Sequence, residues 1–170
     1  MIIPQGKSTV INKFFEREEN SRPTLALEYS YGRRTASSLT GGGGGTPTAA
    51  QKQLLNVWEL GSLENATQLI EVPARTHGLK DFAAIIMLDL SEPQRVWTDL
   101  ECAYQGLHQT CLKLMNSEEM QLGRERTAER LKKQQDEPII EELMPFPVII
   151  VGAKYDIFKD FGSSAVCSTK

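Results

Sequence analysis

Histidine and cysteine are scarce in this chain of 170 residues: His77 and His108 stand alone, and Cys102, Cys111 and Cys167 include no C-x-x-C pair. That scarcity argues against a zinc centre or a disulfide framework and leaves free thiols and isolated imidazoles with no assigned role. Long apolar runs are missing too. The longest, residues 82–90, is under half of the roughly 20 residues that span a bilayer, and the N-terminus lacks the basic start, apolar core and cleavage site of a secretory leader. A dense basic stripe is also absent: 19 Lys and Arg against 22 Asp and Glu leave a net charge of -3. Neither nucleic acid nor an anionic membrane is therefore expected as the main partner. What remains, at 40% hydrophobic and 24% charged, is a soluble, cytosolic globular chain of one-domain size.

A further absence lies at the start. Gln5, Gly6, Lys7, Ser8 and Thr9, opening onto the apolar-periodic Val10, Ile11, Phe14 and Phe15, form the back half of a phosphate-binding loop. The full pattern is G-x-x-x-x-G-K-[ST] after a buried strand: backbone N–H groups cradle phosphates, the lysine reaches the β/γ oxygens and the hydroxyl ligates Mg²⁺. Counting back five from Gly6 puts Met1 where the first glycine belongs. The expectation is a truncated chain, without the first strand and the front of the loop.

Residues 8–19 read as a helix whose N-terminus, just behind Gly6 and Lys7, suits an anion. Residues 24–31 alternate Leu25, Leu27, Tyr29 and Tyr31 against Ala26, Glu28 and Ser30, a strand with one buried face. Residues 35–50, with glycine throughout 41–45, are a low-complexity loop that cannot bury enough apolar surface to order itself. Residues 54–60 read as a strand ending in Gly61, and 63–71 as a short helix stopped by Pro73. The continuous apolar run at 82–90 predicts a strand covered on both faces, hence a parallel sheet with helices on either side. Pro93 fits the first turn of a long helix reaching Met115. Residues 117–137, charged and interrupted by Gly123, read as a solvated helical extension. A third buried strand, 146–151, leads into Gly152, Ala153, Lys154, Tyr155 and Asp156. Alternating buried strands and helices make one doubly wound α/β domain over 1–170, with ligands at the carboxyl ends of strands.

Gly152 to Asp156 has the [NT]-K-x-D form of a guanine-specificity loop except that Ala153 replaces Asn or Thr. Asp156 offers two acceptors to the guanine N1–H and N2–H₂, and the Lys154 stem can pack over the ring. Trp58, Glu59, Leu60 and Gly61 stand where a GTPase carries D-x-x-G, so the magnesium-supporting aspartate is replaced by Trp58. Glu59 is one residue off, and a one-residue step in a strand is expected to turn it to the opposite face. Ser62 follows Gly61, so the glutamine that orients attacking water is absent as well. Little or no hydrolysis is expected from such a site. Thr24 is the candidate switch threonine, joining Ser8 as a metal ligand if a metal is held.

Four stretches in order, RPTLALEYSYGRR at 22–34, WELG at 58–61, LDLSEP at 88–93 and VIIVGAKYDIFKDF at 148–161, resemble the light intermediate chains of cytoplasmic dynein 2. The first and last are the specific ones. The resemblance implies a P-loop NTPase-like, small-GTPase-like fold with a mostly parallel sheet, here expected to lack the first strand and the last strand and helix. It further implies a non-catalytic scaffold on the dynein 2 heavy chain and other dynein subunits, touching microtubules only indirectly and serving retrograde intraflagellar transport and cilium assembly. The implied location is cytoplasm and cytoskeleton, with the cilium or flagellum and its base. No cofactor is required, and a guanine nucleotide with Mg²⁺, if retained, would use Gly6, Lys7, Ser8, Thr9, Lys154 and Asp156. The alternative is a working Ras-like GTPase. Since the first strand of such a fold lies at the sheet centre, its absence is expected to leave two neighbouring strands unpaired.

Overall fold

A computed structural model describes residues 6–18, 22–35, 52–63, 66–132 and 143–165. The glycine-rich stretch at 36–50, the end of the charged extension at 133–137 and Cys167 lie outside the described residues. The chain runs α1 (Lys7–Phe14), β1 (Leu27–Thr35), β2 (Lys52–Leu60), α2 (Ala66–His77), β3 (Ala84–Asp89), α3 (Pro93–Leu114), α4 (Ser117–Lys132), β4 (Val148–Ala153) and α5 (Tyr155–Ala165).

Alternation in the hairpin sequence sets its two faces. β1 and β2 pair antiparallel from Leu27 opposite Leu60 to Thr35 opposite Lys52, so the low-complexity stretch joins two paired strands, as its composition led one to expect. Leu27, Tyr29, Trp58 and Leu60 share one face; Glu28, Ser30, Gly32 and Glu59 share the other. α1 packs on the second. Phe15 lies over Gly32 so closely that a Cβ there would meet its ring at 2.2 Å, and Arg17 donates to the Ser30 hydroxyl at 3.3 Å. On the first face the Tyr29 and Trp58 rings pack at 4.7 Å, a directly opposed cross-strand pair.

β3 and β4 form a separate parallel pair, Ala84 opposite Val148 through Asp89 opposite Ala153, linked by α3 and α4. The core lies on one side of this pair. Ala84, Ile86 and Leu88 point into it and meet Ala74 of α2 and Ala103, Leu107 and Cys111 of α3, while Phe146 closes its floor against Phe82. α2 and α3 approach closely because Gly106 faces Ala66, 3.0 Å from where its own Cβ would be. The opposite face of the pair is open among the described residues, with Ile85 63% and Ile149 52% exposed. The expectation of a strand covered on both faces is thus met on one side for β3, while β4, expected to be buried, leaves Ile149, Ile150 and Val151 exposed among the described residues; a mixed α/β arrangement with a parallel pair is what these residues show.

Three helices differ from expectation. α1 ends at Phe14, well short of the helix read over 8–19, and Glu16 just beyond it has φ +55°. Pro73 does not stop α2 but sits inside it, buried, and the helix continues to His77. Its ring fills core space that offsets the backbone hydrogen bond a proline cannot make. α4 is not simply a solvated extension: Met120, Gly123, Thr127 and Ala128 are buried, and Gly123 is clamped on Pro145, with a hypothetical Cβ 2.5 Å from the proline Cβ. Its start is capped reciprocally, Asn116 Oδ1 accepting from the Glu119 N–H at 2.8 Å while Glu119 Oε2 accepts from the Asn116 N–H at 3.0 Å.

Candidate functional site

The retained half-loop is a helix N-terminus with a left-handed entry. Gly6 precedes α1 with φ +78°, a conformation that favours glycine, and its carbonyl accepts the Val10 N–H at 3.0 Å. Lys7 and Ser8 follow half-buried, and Thr9 faces solvent. Ser8 Oγ donates to Glu59 Oε1 at 2.7 Å and lies 3.2 Å from the Arg22 carbonyl, tying α1 to the end of β2 and to the segment before β1. Burial holds the Lys7 ammonium below its ordinary pKa, and the nearby Glu59 carboxylate partly restores it.

This geometry corrects the expectation that no acid stands near the P-loop hydroxyl. The side chain that turns away from α1 is Trp58; Glu59 is 8% exposed and directed at Ser8. The cause is hairpin alternation: the face carrying Glu28 and Glu59 is the one that α1 covers. The signal was present in the apolar set Leu27, Tyr29, Trp58 and Leu60, whose register assigns Glu59 to the other face. Thr24 is also buried nearby, its Oγ1 donating to Glu28 Oε2 at 2.9 Å. Gly61 is pressed on the Thr24 backbone, leaving 2.0 Å between the Thr24 carbonyl oxygen and a hypothetical Cβ. A hydroxyl and carboxylates of this kind suit a hard cation, though among the described residues no three His, Cys, Asp or Glu side chains gather as a metal cluster.

The guanine-type loop behaves differently from its lysine to its aspartate. Lys154, at φ +58°, turns its ammonium onto Asp89 Oδ2 at 2.5 Å, with Ser91 Oγ at 3.5 Å. Asp89, its side chain 5% exposed, also accepts from the Ser91 N–H at 3.0 Å. Burial alone would raise the Asp89 pKa, but the hydrogen bonds from Lys154 and Ser91 outweigh it and hold the carboxyl below the ordinary range. Asp156 stands exposed in the first turn of α5. Sequence reasoning missed Asp89, for which the only signal was an acid ending an apolar strand. Lys7 and Asp89 line one cavity of about 520 Å³, so the half-loop and the Lys154 pair meet around it, whereas Thr9 and Asp156 do not reach its wall.

Comparison with known proteins adds the decisive observation. Over 96% of its length the chain is 35% identical to cytoplasmic dynein 2 light intermediate chain 1 of Danio rerio, 36% to that of Bos taurus and 35% to that of Homo sapiens. Its relatives are light intermediate chains of cytoplasmic dynein 2. The chain spans about half of their length, 45% of the Danio rerio protein and 46% of the other two. No family model matches it. The dynein 2 relationship agrees with the segments that carried the resemblance, and the glycine-rich stretch lies between them. No helix among the described residues is long and apolar enough to cross a membrane.

Proposed function

We propose that this chain is a non-catalytic subunit of the cytoplasmic dynein 2 motor. In this reading it docks on the dynein 2 heavy chain, contacts other dynein subunits and meets microtubules indirectly. It serves retrograde intraflagellar transport and cilium assembly from the cytoplasm, the cytoskeleton and the cilium or flagellum with its base. The observation that carries the reading is similarity over 96% of the chain to proteins named as light intermediate chains of that motor. The site supports it chemically. Ser8 is bonded to Glu59, Lys154 to Asp89, and Ser62 stands where many GTPases carry the glutamine that orients the attacking water.

A guanine nucleotide with Mg²⁺, where retained, is a structural ligand in this reading, held by Gly6, Lys7, Ser8, Thr9, Lys154 and Asp156 with Ser8 and Thr24 toward the metal. Glu59 beside Ser8 fits a cation, and the engagement of Lys154 by Asp89 fits a base less well. The chain's own part is to hold α1 against β2 and the guanine-type loop against β3. The test is quantitation of nucleotide released by denaturing the purified protein, together with turnover of added GTP. The expected result is no turnover above the uncatalysed background. Mg²⁺-dependent multiple turnover that disappears in Lys7→Ala would instead establish a working GTPase.

A further inference from the structure

β1 lies at the edge of its sheet among the described residues, with β2 on one side only. Its outer edge can be assigned group by group. The Gly61 N–H donates to the Ala26 carbonyl at 2.8 Å, which makes these two a bonded pair, and bonded pairs alternate along an antiparallel ladder. Glu28, Ser30 and Gly32 therefore turn their N–H and C=O groups to β2, and Leu27, Tyr29, Tyr31 and Arg33 turn theirs outward. An outward row of this kind is a template for a further strand, and proteins with no use for it blunt it with charge, proline or a bulge. β1 has no proline, and its register runs without a bulge. Charge is present, but it is of one sign.

The side chains beside the edge say what kind of strand fits. On the face away from α1, Tyr29, Tyr31 and Arg33 stand exposed, the two tyrosine rings stacked at 6.1 Å. From the α1 face Arg17 reaches round to the edge. Its guanidinium lies 5.0 Å from the Phe15 ring centroid, Nη1 donates to Ser30 Oγ at 3.3 Å, and Nη2 donates to the outward Tyr31 carbonyl at 3.4 Å. Among the described residues neither arginine has a carboxylate partner. The face of Tyr29, Tyr31 and Arg33 holds no Asp or Glu from Leu27 to Arg33 or from Leu54 to Leu60. Cations alone would only guard the edge; the stacked tyrosines between them add an apolar platform that a guard does not need.

We propose that the outer edge of β1 accepts an extended, acidic and apolar segment of a partner protein. It adds antiparallel, the geometry β1 already shares with β2 and the more stable per residue. Read along the added strand, an acid lies opposite Arg33, any residue opposite Gly32, an apolar residue opposite Tyr31, a second acid opposite Ser30 beside Arg17, and an apolar residue opposite Tyr29. Main-chain bonds to Tyr29 and Tyr31 supply affinity, and the order of side chains supplies specificity. The long Arg17 bond does not bar the way, because a carbonyl oxygen accepts two hydrogen bonds and the guanidinium keeps further N–H donors for the facing carboxylate. The site stands on strand geometry and charge, independently of the motor assignment.

Hydrogen exchange and fluorescence anisotropy on the full-length protein test this with a synthetic peptide of the order Glu-Thr-Val-Glu-Val, flanked by threonines, and a control with glutamine for both acids. Without peptide the outward amides of Tyr29, Tyr31 and Arg33 are expected to exchange freely, and saturating peptide to slow them at least ~10-fold with α3 unchanged. The glutamine control is expected to bind roughly 10-fold more weakly. Arg33→Glu is expected to lose the acidic peptide and to regain binding to a version whose first acid is lysine, a rescue that misfolding would not give. Outward amides already protected in the protein alone, or protected only as rising concentration forms a dimer, would overturn the proposal by naming another occupant of the edge. Equal binding of the acidic and glutamine peptides, protection that maps away from β1, or exchange that no concentration of peptide slows would overturn it as well.

Discussion

At the scale of single residues, carboxylates hold the motif groups. Asp89 is the sharper case, because its side chain is almost fully covered while its partner Lys154 keeps 30% of its own exposed. The folded-state pKa of Asp89 lies below the ordinary ~3.9. Its contribution to stability is therefore fully present above that ordinary value and is lost as pH falls through the depressed one. Asp89→Asn is expected to cost about 1–2 kcal/mol at pH 7, discounted for the exposed half of the pair. It should also flatten the acid limb, so that urea midpoints of the two proteins converge as pH drops below 4. Parallel curves at all pH values would show that the pair does not carry this dependence. The two cysteines among the described residues separate by burial: Cys111 is fully covered and its thiol is pushed up to about 11, whereas Cys102 is exposed. Iodoacetamide at pH 8 should label Cys102 in the native protein and Cys111 only after unfolding, which peptide mapping reads directly.

At the scale of elements, α4 distinguishes two accounts with one substitution. On a solvated helix, Gly123→Ala would stabilise by about 0.8–1 kcal/mol through helix propensity. Clamped on Pro145, the added methyl has no room, and a net loss of about 1–3 kcal/mol is expected from overpacking. Thermal or urea unfolding of the variant gives the sign. Charge density along 117–132 concealed this packing, since Met120 is the one large apolar side chain among the buried positions and Gly123, Thr127 and Ala128 are small or polar enough to look like surface. Elements with strong periodicity were legible: β2, β3, α3 and β4 fall close to where the apolar spacing put them, while β1 begins and ends three to four residues later than read. Pro73 was misread because a local breaker signal was weighed without the core contact that keeps it helical. Glu59 was misread for a similar reason. Alternation gave its face, but only the packing of α1 decided which face meets the half-loop.

At the scale of the whole molecule, the described residues make two small sheets that share a cavity, one covered by α1 and the other by α2 and α3. Exposed apolar side chains collect on the uncovered face of the parallel pair, at Ile85, Ile149 and Val151, and along α5 at Tyr155, Ile157 and Phe158. Apolar surfaces of this kind commonly mark contacts with a further segment or a partner. The sequence could not disclose which surface meets a partner, because an apolar residue is written the same way whether a core or a neighbour covers it. The motor role is tested most directly by tagging the protein at its native locus in ciliated or flagellated cells and identifying what co-purifies by mass spectrometry. Recovery of a dynein 2 heavy chain is the result expected. Recovery free of every dynein subunit, together with bound GTP and GTPase regulators, would contradict the account.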